Sequence, residues 1–217
     1  MKHKGLLIVI SGFSGAGKGT LMKALIQNYD QYALSISMTT RAPREGEVHG
    51  REYLFATREE FEEKIQQGGF VEHAQYCGNY YGTPKDYVEE QLEAGKDVIL
   101  EIEIQGAMKV KELFPDAILL FVMPPSIEVL YQRLVGRGTE TKEEIQNRLL
   151  RAKEEAVGIE EYDYIIINDD LDACVKELHE LLVKSHEEMQ ENCHPDNYQE
   201  LIANIREELN GLVKGEK

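Results

Sequence analysis

Four short, largely apolar runs punctuate the chain, at Leu6–Ile10, Val98–Ile104, Ile118–Met123 and Tyr164–Ile167. Their apolar residues are consecutive rather than alternate, so both faces of each strand must be covered, as in a parallel sheet flanked by helices. Helical signals fill the intervals. An apolar helix is predicted over Leu21–Ile26, and Thr83-Pro84 with Asp86, followed by apolar spacing up to Gly95, reads as N-cap, N1 proline and stop. Thr57 with Glu60 and Thr141 with Glu144 fit capping boxes. The class is α/β, a parallel sheet core flanked by helices. Residues 1–33, 84–125 and 159–184 form this core, 34–83 a polar insertion rich in Gly, Tyr and Arg, and 126–158 an arginine-bearing lid. Both departures from the core read as mobile flaps over a cleft at the strand ends. In the acidic tail, 185–217, Leu201, Ile202, Ile205, Leu209 and Leu212 recur at helical spacing and predict a helix with a docking stripe.

Charge narrows the functional classes. Of the 217 residues, 24 are Lys or Arg and 40 are Asp or Glu, a formal charge of −16. Such a balance opposes the counterion-release term behind generic nucleic-acid binding and repels anionic membrane surfaces. An anionic ligand must therefore be held by a local cluster of positive groups. Cys77, Cys174 and Cys193 form no C-x-x-C pair and cannot all pair with one another, which predicts a reducing, cytoplasmic setting. No apolar run reaches the roughly 18 residues of a membrane span.

That local cluster begins right after the first strand, at Gly12-Phe13-Ser14-Gly15-Ala16-Gly17-Lys18-Gly19-Thr20. Glycines let backbone N–H groups turn inward around a phosphate, the following helix contributes its positive end, and Lys18 reaches the outer phosphates. This phosphate-cradling loop has one departure: the position after the lysine, commonly a Ser or Thr that ligates Mg²⁺, is Gly19, with Thr20 next. A second cluster runs from Ser37 through Arg41, Arg44 and Arg51 to Tyr53; guanidinium forks three residues apart suit a phosphate. A third comprises Glu72 and the run Gly78-Asn79-Tyr80-Tyr81-Gly82-Thr83. A lone glutamate is ordinarily a surface residue, and only its company gives Glu72 weight. Arg133 and Arg137, four apart beside Gly136 and Gly138, share a helix face.

At these residues the chain closely resembles the guanylate kinases, which phosphorylate GMP with ATP. The resemblance spans nearly all of residues 5–184: the glycine loop, T-T-R-x-P-R-x-G-E-V-x-G-x-x-Y, G-N-Y-Y-G-T, E-x-E-x-Q-G, R-x-x-x-R-G with a later arginine, and Y-D-Y-x-I-x-N-D-D. It implies a P-loop kinase fold with a GMP-binding insertion, and transfer of the ATP γ-phosphoryl group to GMP, dGMP included. By the same resemblance Ser37, Arg41, Arg44, Tyr53 and Tyr81 hold the GMP phosphate, and Glu72, Thr83 and Glu101 attend the base. Lys18, Arg133, Arg137 and Arg148 attend the transferring group, Asn168 lies near adenine, and Mg²⁺ is held through phosphates and water, with Thr20, Glu101 and Glu103 as candidate ligands. Glu101 and Glu103 stand where many relatives have Asp-x-Asp, and the tail after Lys184 lies outside the shared pattern. A homo-oligomer is left open.

The chemistry supports the base assignment. Guanine offers N1–H and a 2-amino group on one edge, two parallel donors that suit a carboxylate, whereas adenine sets an acceptor against it. A nucleotide phosphate, mostly dianionic at pH 7 because its second pKa is near ~6, needs no general base. Two other readings compete: a protein-binding module of the scaffold type, opposed by the intact loop and flap arginines, and a kinase for another acceptor, opposed by Glu72 with Tyr81 and Thr83. The histidines lack metal-ligand spacing, so no structural metal is expected.

Overall fold

The computed structural model describes residues 4–76, 78–136, 141–187 and 194–214. Nine strands and eight α-helices are found among them. Strands β1 (Leu7–Gly12), β2 (Tyr32–Leu34), β7 (Asp97–Glu101), β8 (Ile118–Met123) and β9 (Tyr164–Ile167) form one sheet in the order β2–β7–β1–β8–β9. β2 with β7 and β8 with β9 pair in parallel. Every residue of β1 and β8 is buried, which is why these strands read as continuous apolar runs rather than alternating ones.

The chain divides into two compact units, Met1–Val9 with Tyr29–Ala117 and Ile10–Asn28 with Ile118–Lys217, and β1 runs from the first into the second. In the first unit, β3 (Met38–Thr39), β4 (Leu54–Phe55), β5 (Phe70–Tyr76) and β6 (Asn79–Pro84) make a second sheet in the order β4–β3–β6–β5. The polar, Gly- and Tyr-rich stretch is therefore an ordered sheet built on the antiparallel pair β5–β6. Its apolar support comes from Phe61 of α2 (Arg58–Gln66), stacked between Phe70 at 4.4 Å and Tyr80 at 5.2 Å. The Thr57–Glu60 capping box opens α2 as the sequence predicts.

Two boundaries differ from the sequence reading. Thr83 does not cap α3 (Lys85–Glu93); it is the penultimate residue of β6, and Pro84 takes the N-cap position without a side-chain bond. The strand expected over Val98–Ile104 ends at Glu101, and Ile104 opens α4 (Ile104–Leu113). The apolar spacing of Val98, Leu100, Ile102 and Ile104 imitates a longer strand, but only the first part is covered on both faces.

In the second unit α1 (Lys18–Asn28) starts at the lysine of the glycine loop, and α7 (Leu171–Ser185) packs against it. α5 (Ile127–Val135) and α6 (Lys142–Glu155) are joined by a link that includes Arg137, which lies outside the described residues. The Thr141–Glu144 capping box opens α6. The tail forms α8 (Gln199–Lys214), and its stripe is buried at Ile202, Ile205 and Leu209 while Leu212 is exposed. α8 docks on α6, with smaller contacts to α5 and to the 3₁₀ turn Ala156–Glu161.

Candidate functional site

The glycine loop owes its path to backbone that side chains rarely adopt. Gly12, Gly15 and Gly17 have φ of 147°, 96° and 89°, and a Cβ on Gly17 would sit 2.6 Å from Asn168 Nδ2. Lys18 Nζ donates to the carbonyls of Gly12 at 2.6 Å and Phe13 at 3.1 Å, so the ammonium lies across the loop's own turn. Buried Asn168, just after β9, donates Nδ2 to Ala16 O at 2.8 Å. Its amide thus braces the loop.

α5 and α6 bring the arginines to the same loop. Arg148 Nη1 donates to Ser14 Oγ at 2.8 Å, and Arg133 reaches the carbonyls of Ala16 at 3.4 Å and Asp169 at 3.3 Å. One residue escaped the sequence reading: Glu155, whose Oε2 accepts the Ser14 N–H at 3.3 Å. It sits in an acidic helical run with no local signal to set it apart. Gly19 has open space where a Cβ would be, and Thr20 is exposed on α1.

In the first unit a pocket of about 340 Å³ is lined by Ser37, Tyr53, Glu72, Tyr81, Glu101 and Glu103, together with Gly106 and its neighbours on α4. All six of these side chains were candidates on sequence grounds; Gly106 was not singled out. β5 and β6 place Glu72 opposite Thr83 in register, and the buried Thr83 hydroxyl donates to Glu72 Oε1 at 2.9 Å. The Glu72 carboxylate is thereby aimed and half-satisfied, with its other oxygen 3.4 Å from the point where a Gly106 side chain would begin. Burial pushes the Glu72 carboxyl up from its ordinary value, against the hydrogen bond from Thr83 and the nearby charge of Lys109.

Arg41 lies over the Tyr53 ring at 5.3 Å and the Phe55 ring at 5.9 Å, while Tyr53 meets Tyr81 edge-on at 6.1 Å. Its Nη2 donates to Glu47 Oε1 at 2.8 Å, and Glu47 Oε2 accepts the Arg44 N–H at 2.7 Å. One carboxylate so bridges the two arginine positions, and the hydrogen bond from Arg41 holds it below the usual carboxylate range. The Arg44 residue is exposed.

The guanylate kinase family model matches residues 4–192. The chain belongs to the guanylate kinase family. A guanylate kinase of Caldanaerobacter subterraneus subsp. tengcongensis is 49% identical over 208 residues, covering 96% of this chain and 98% of that one. One from Clostridium perfringens (strain 13 / Type A) is 47% identical, covering 95% and 93%. The crystal structure of guanylate kinase from Anaplasma phagocytophilum superimposes with a TM-score of 0.68 at 33% identity, covering 86% of this chain and 89% of that one. Family membership fits both parts of the geometry, a glycine loop turned around Lys18 and a pocket lined by the half-buried Glu72 carboxylate.

A metal must fit this donor set. Among the described residues no three His, Cys, Asp or Glu cluster to cage an ion. Mg²⁺ seldom needs such a cage, because it retains waters and takes one or two carboxylates beside substrate phosphates. Glu101, Glu103 and Thr20, each exposed, carry oxygen donors of that hard kind.

The raised Glu72 pKa yields a pH prediction. A carboxylate offers two acceptors to an edge carrying two N–H donors only when it is ionised. With Glu72 as the group that meets a guanine edge, GMP affinity is expected above the Glu72 pKa and is expected to be lost as pH falls through it, starting higher than the ~4.3 of an ordinary glutamate. Calorimetric titration of GMP across pH checks this against Glu72→Gln, which retains the substrate phosphate's own titration but has no ionisable group in the pocket. A wild-type profile with no component absent from the variant would contradict it.

Proposed function

We propose that this protein transfers the γ-phosphoryl group of ATP to GMP, and to dGMP, giving ADP and GDP or dGDP. The observation that supports the reading is the half-buried Glu72 carboxylate, aligned by Thr83 in a pocket of about 340 Å³. Glu72 accepts guanine N1–H and the 2-amino group, with Glu101 beside the base. Ser37, Arg41, Arg44, Tyr53 and Tyr81 take the GMP phosphate, which displaces Glu47 from Arg41. The Gly12–Thr20 amides and Lys18 cradle the ATP phosphates, and Asn168 supports the loop beside adenine.

The GMP phosphate attacks as a dianion, so no residue has to remove a proton. Catalysis consists of holding two anions in line and offsetting charge on the transferring group, the work of Lys18, Arg133, Arg137 and Arg148. Thr20, Glu101 or Glu103 would hold Mg²⁺, directly or through water, and the ion would supply neutralising charge to the substrate phosphates. Segments 34–83 and 126–158 act as the GMP-binding flap and the lid, excluding water that would hydrolyse ATP.

An assay of ADP formation from ATP with AMP, GMP, dGMP, CMP and UMP tests the reading. GMP and dGMP are expected to be turned over and the other three to fail by several orders of magnitude, since a site built for one hydrogen-bonding edge rejects analogues by up to roughly 10⁴–10⁵-fold. Comparable turnover of AMP would overturn it.

A further inference from the structure

α6 grips the glycine loop at one residue from two sides. Arg148 and Glu155 are seven residues apart, two turns along the same helix face, and they meet the Oγ and the N–H of Ser14 respectively. Where those two groups sit depends on how the C-terminal end of α6 is held.

A helix ends with carbonyls that lack an intrahelical donor, and a cation there is favoured by the helix dipole. α6 finds that cation on the tail helix. Arg206 of α8 donates from Nε at 2.9 Å and Nη2 at 2.6 Å to the carbonyl of Ala156, the C-cap residue of α6. The same guanidinium closes a two-pronged pair with Glu160, Nη1 to Oε1 at 2.6 Å and Nη2 to Oε2 at 2.5 Å. A planar fork satisfying a carbonyl and a carboxylate at once fixes direction as well as distance, which a lysine could not reproduce. Apolar packing accompanies the attachment: α8 packs on α6, and Ile202, Ile205 and Leu209 on α8 and Ile145, Leu149 and Ala152 on α6 are all buried. The pair itself is about one-third exposed, so its value lies in geometry more than in stability.

We propose that Arg206 is a positioning residue for phosphoryl transfer: by clamping the end of α6 to the tail helix it sets the reach of Arg148, and of Glu155, to the phosphate loop. The inference rests on the kinase reading above. It gives the tail helix, which lies beyond residues 4–192 matched by the family model, a part in the reaction although it supplies no group that meets substrate.

The test is a double-mutant cycle on the full chain. Arg206→Met is expected to lower kcat by about 10- to 100-fold, the cost of a misplacement on the order of 1 Å, with KM for GMP nearly unchanged. In an Arg148→Met background the same substitution is expected to add less than about twofold, because its effect runs through Arg148. Arg206→Lys, which keeps charge and one donor direction, is expected to recover part of kcat. Calorimetric ATP affinity is read in parallel, falling in Arg206→Met and again not in the Arg148→Met background, so the inference is decided even if wild-type protein fails to phosphorylate GMP, which would sink only the kinase reading. If Arg206→Met does not fold by circular dichroism, Glu160→Gln, which weakens the clamp and leaves Arg206 in place, is carried through the same cycle. A wild-type kcat and ATP affinity in the clamp variant, or a loss that multiplies independently with that of Arg148→Met, overturns the proposal.

Discussion

Glu72→Gln is expected to lower kcat/KM for GMP by about three orders of magnitude or more, with ATP affinity within about twofold of wild type. The amide is nearly isosteric, so packing in the pocket survives and the loss is one of hydrogen-bond sense. Glutamine presents one acceptor and one donor to an edge that carries two donors, so one buried polar group is left facing another of the same kind. Each such mismatch costs about 1–3 kcal/mol in a closed site, and the charge that strengthened both bonds is gone as well. Thr83 Oγ1, which donates to Glu72 Oε1 at 2.9 Å, holds the new amide oxygen in the same place and thereby turns its NH₂ toward the base. Steady-state kinetics with GMP and calorimetry with ATP read the two halves separately. Activity within tenfold of wild type would remove Glu72 from the base site.

Lys18→Met is expected to lower kcat by about 10²–10³-fold or more, the usual cost of deleting one preorganised charge from a transition state. The ammonium donates to the carbonyls of Gly12 and Phe13, and phosphate oxygens compete with both for its N–H donors. The variant therefore loses a brace of the loop as well as a charge, and hydrogen bonds to charged groups are worth about 1.5–3 kcal/mol each. Arginine at this position is not expected to rescue, since the planar fork cannot replace a compact ammonium inside so tight a turn. Single-turnover transfer with saturating ATP and GMP measures the effect. A kcat within a few-fold of wild type would show that the lysine is not at the transferring group.

Much of the fold was legible because burial leaves a direct trace in apolar spacing. β8 and β9 begin and end where the runs Ile118–Met123 and Tyr164–Ile167 do, and both capping boxes lie where Thr57 and Thr141 place them. The insertion was legible only as something other than core. Its strands β3 and β4 are two residues each, too short for any periodicity, and they exist because β3 pairs with β6 and β4 in turn pairs with β3. Thr83 looked like a helix cap because Thr-Pro ordinarily is one, yet pairing with β5 outbid the helix and turned its hydroxyl to Glu72.

The amino-acid sequence by itself determined the α/β class, the glycine loop and most of the charged and hydroxyl side chains that line the pocket, because residue chemistry and short-range spacing are local properties. Only the tertiary structure decided which of them meet. Cross-strand register set Glu72 against the buried Thr83 hydroxyl, the C-terminus of α6 found its cation in Arg206, fifty residues beyond Ala156, and Glu155 came to rest on the Ser14 amide. Such contacts join residues far apart in the chain, and their energies depend on burial and angle, which no run of neighbouring residues encodes.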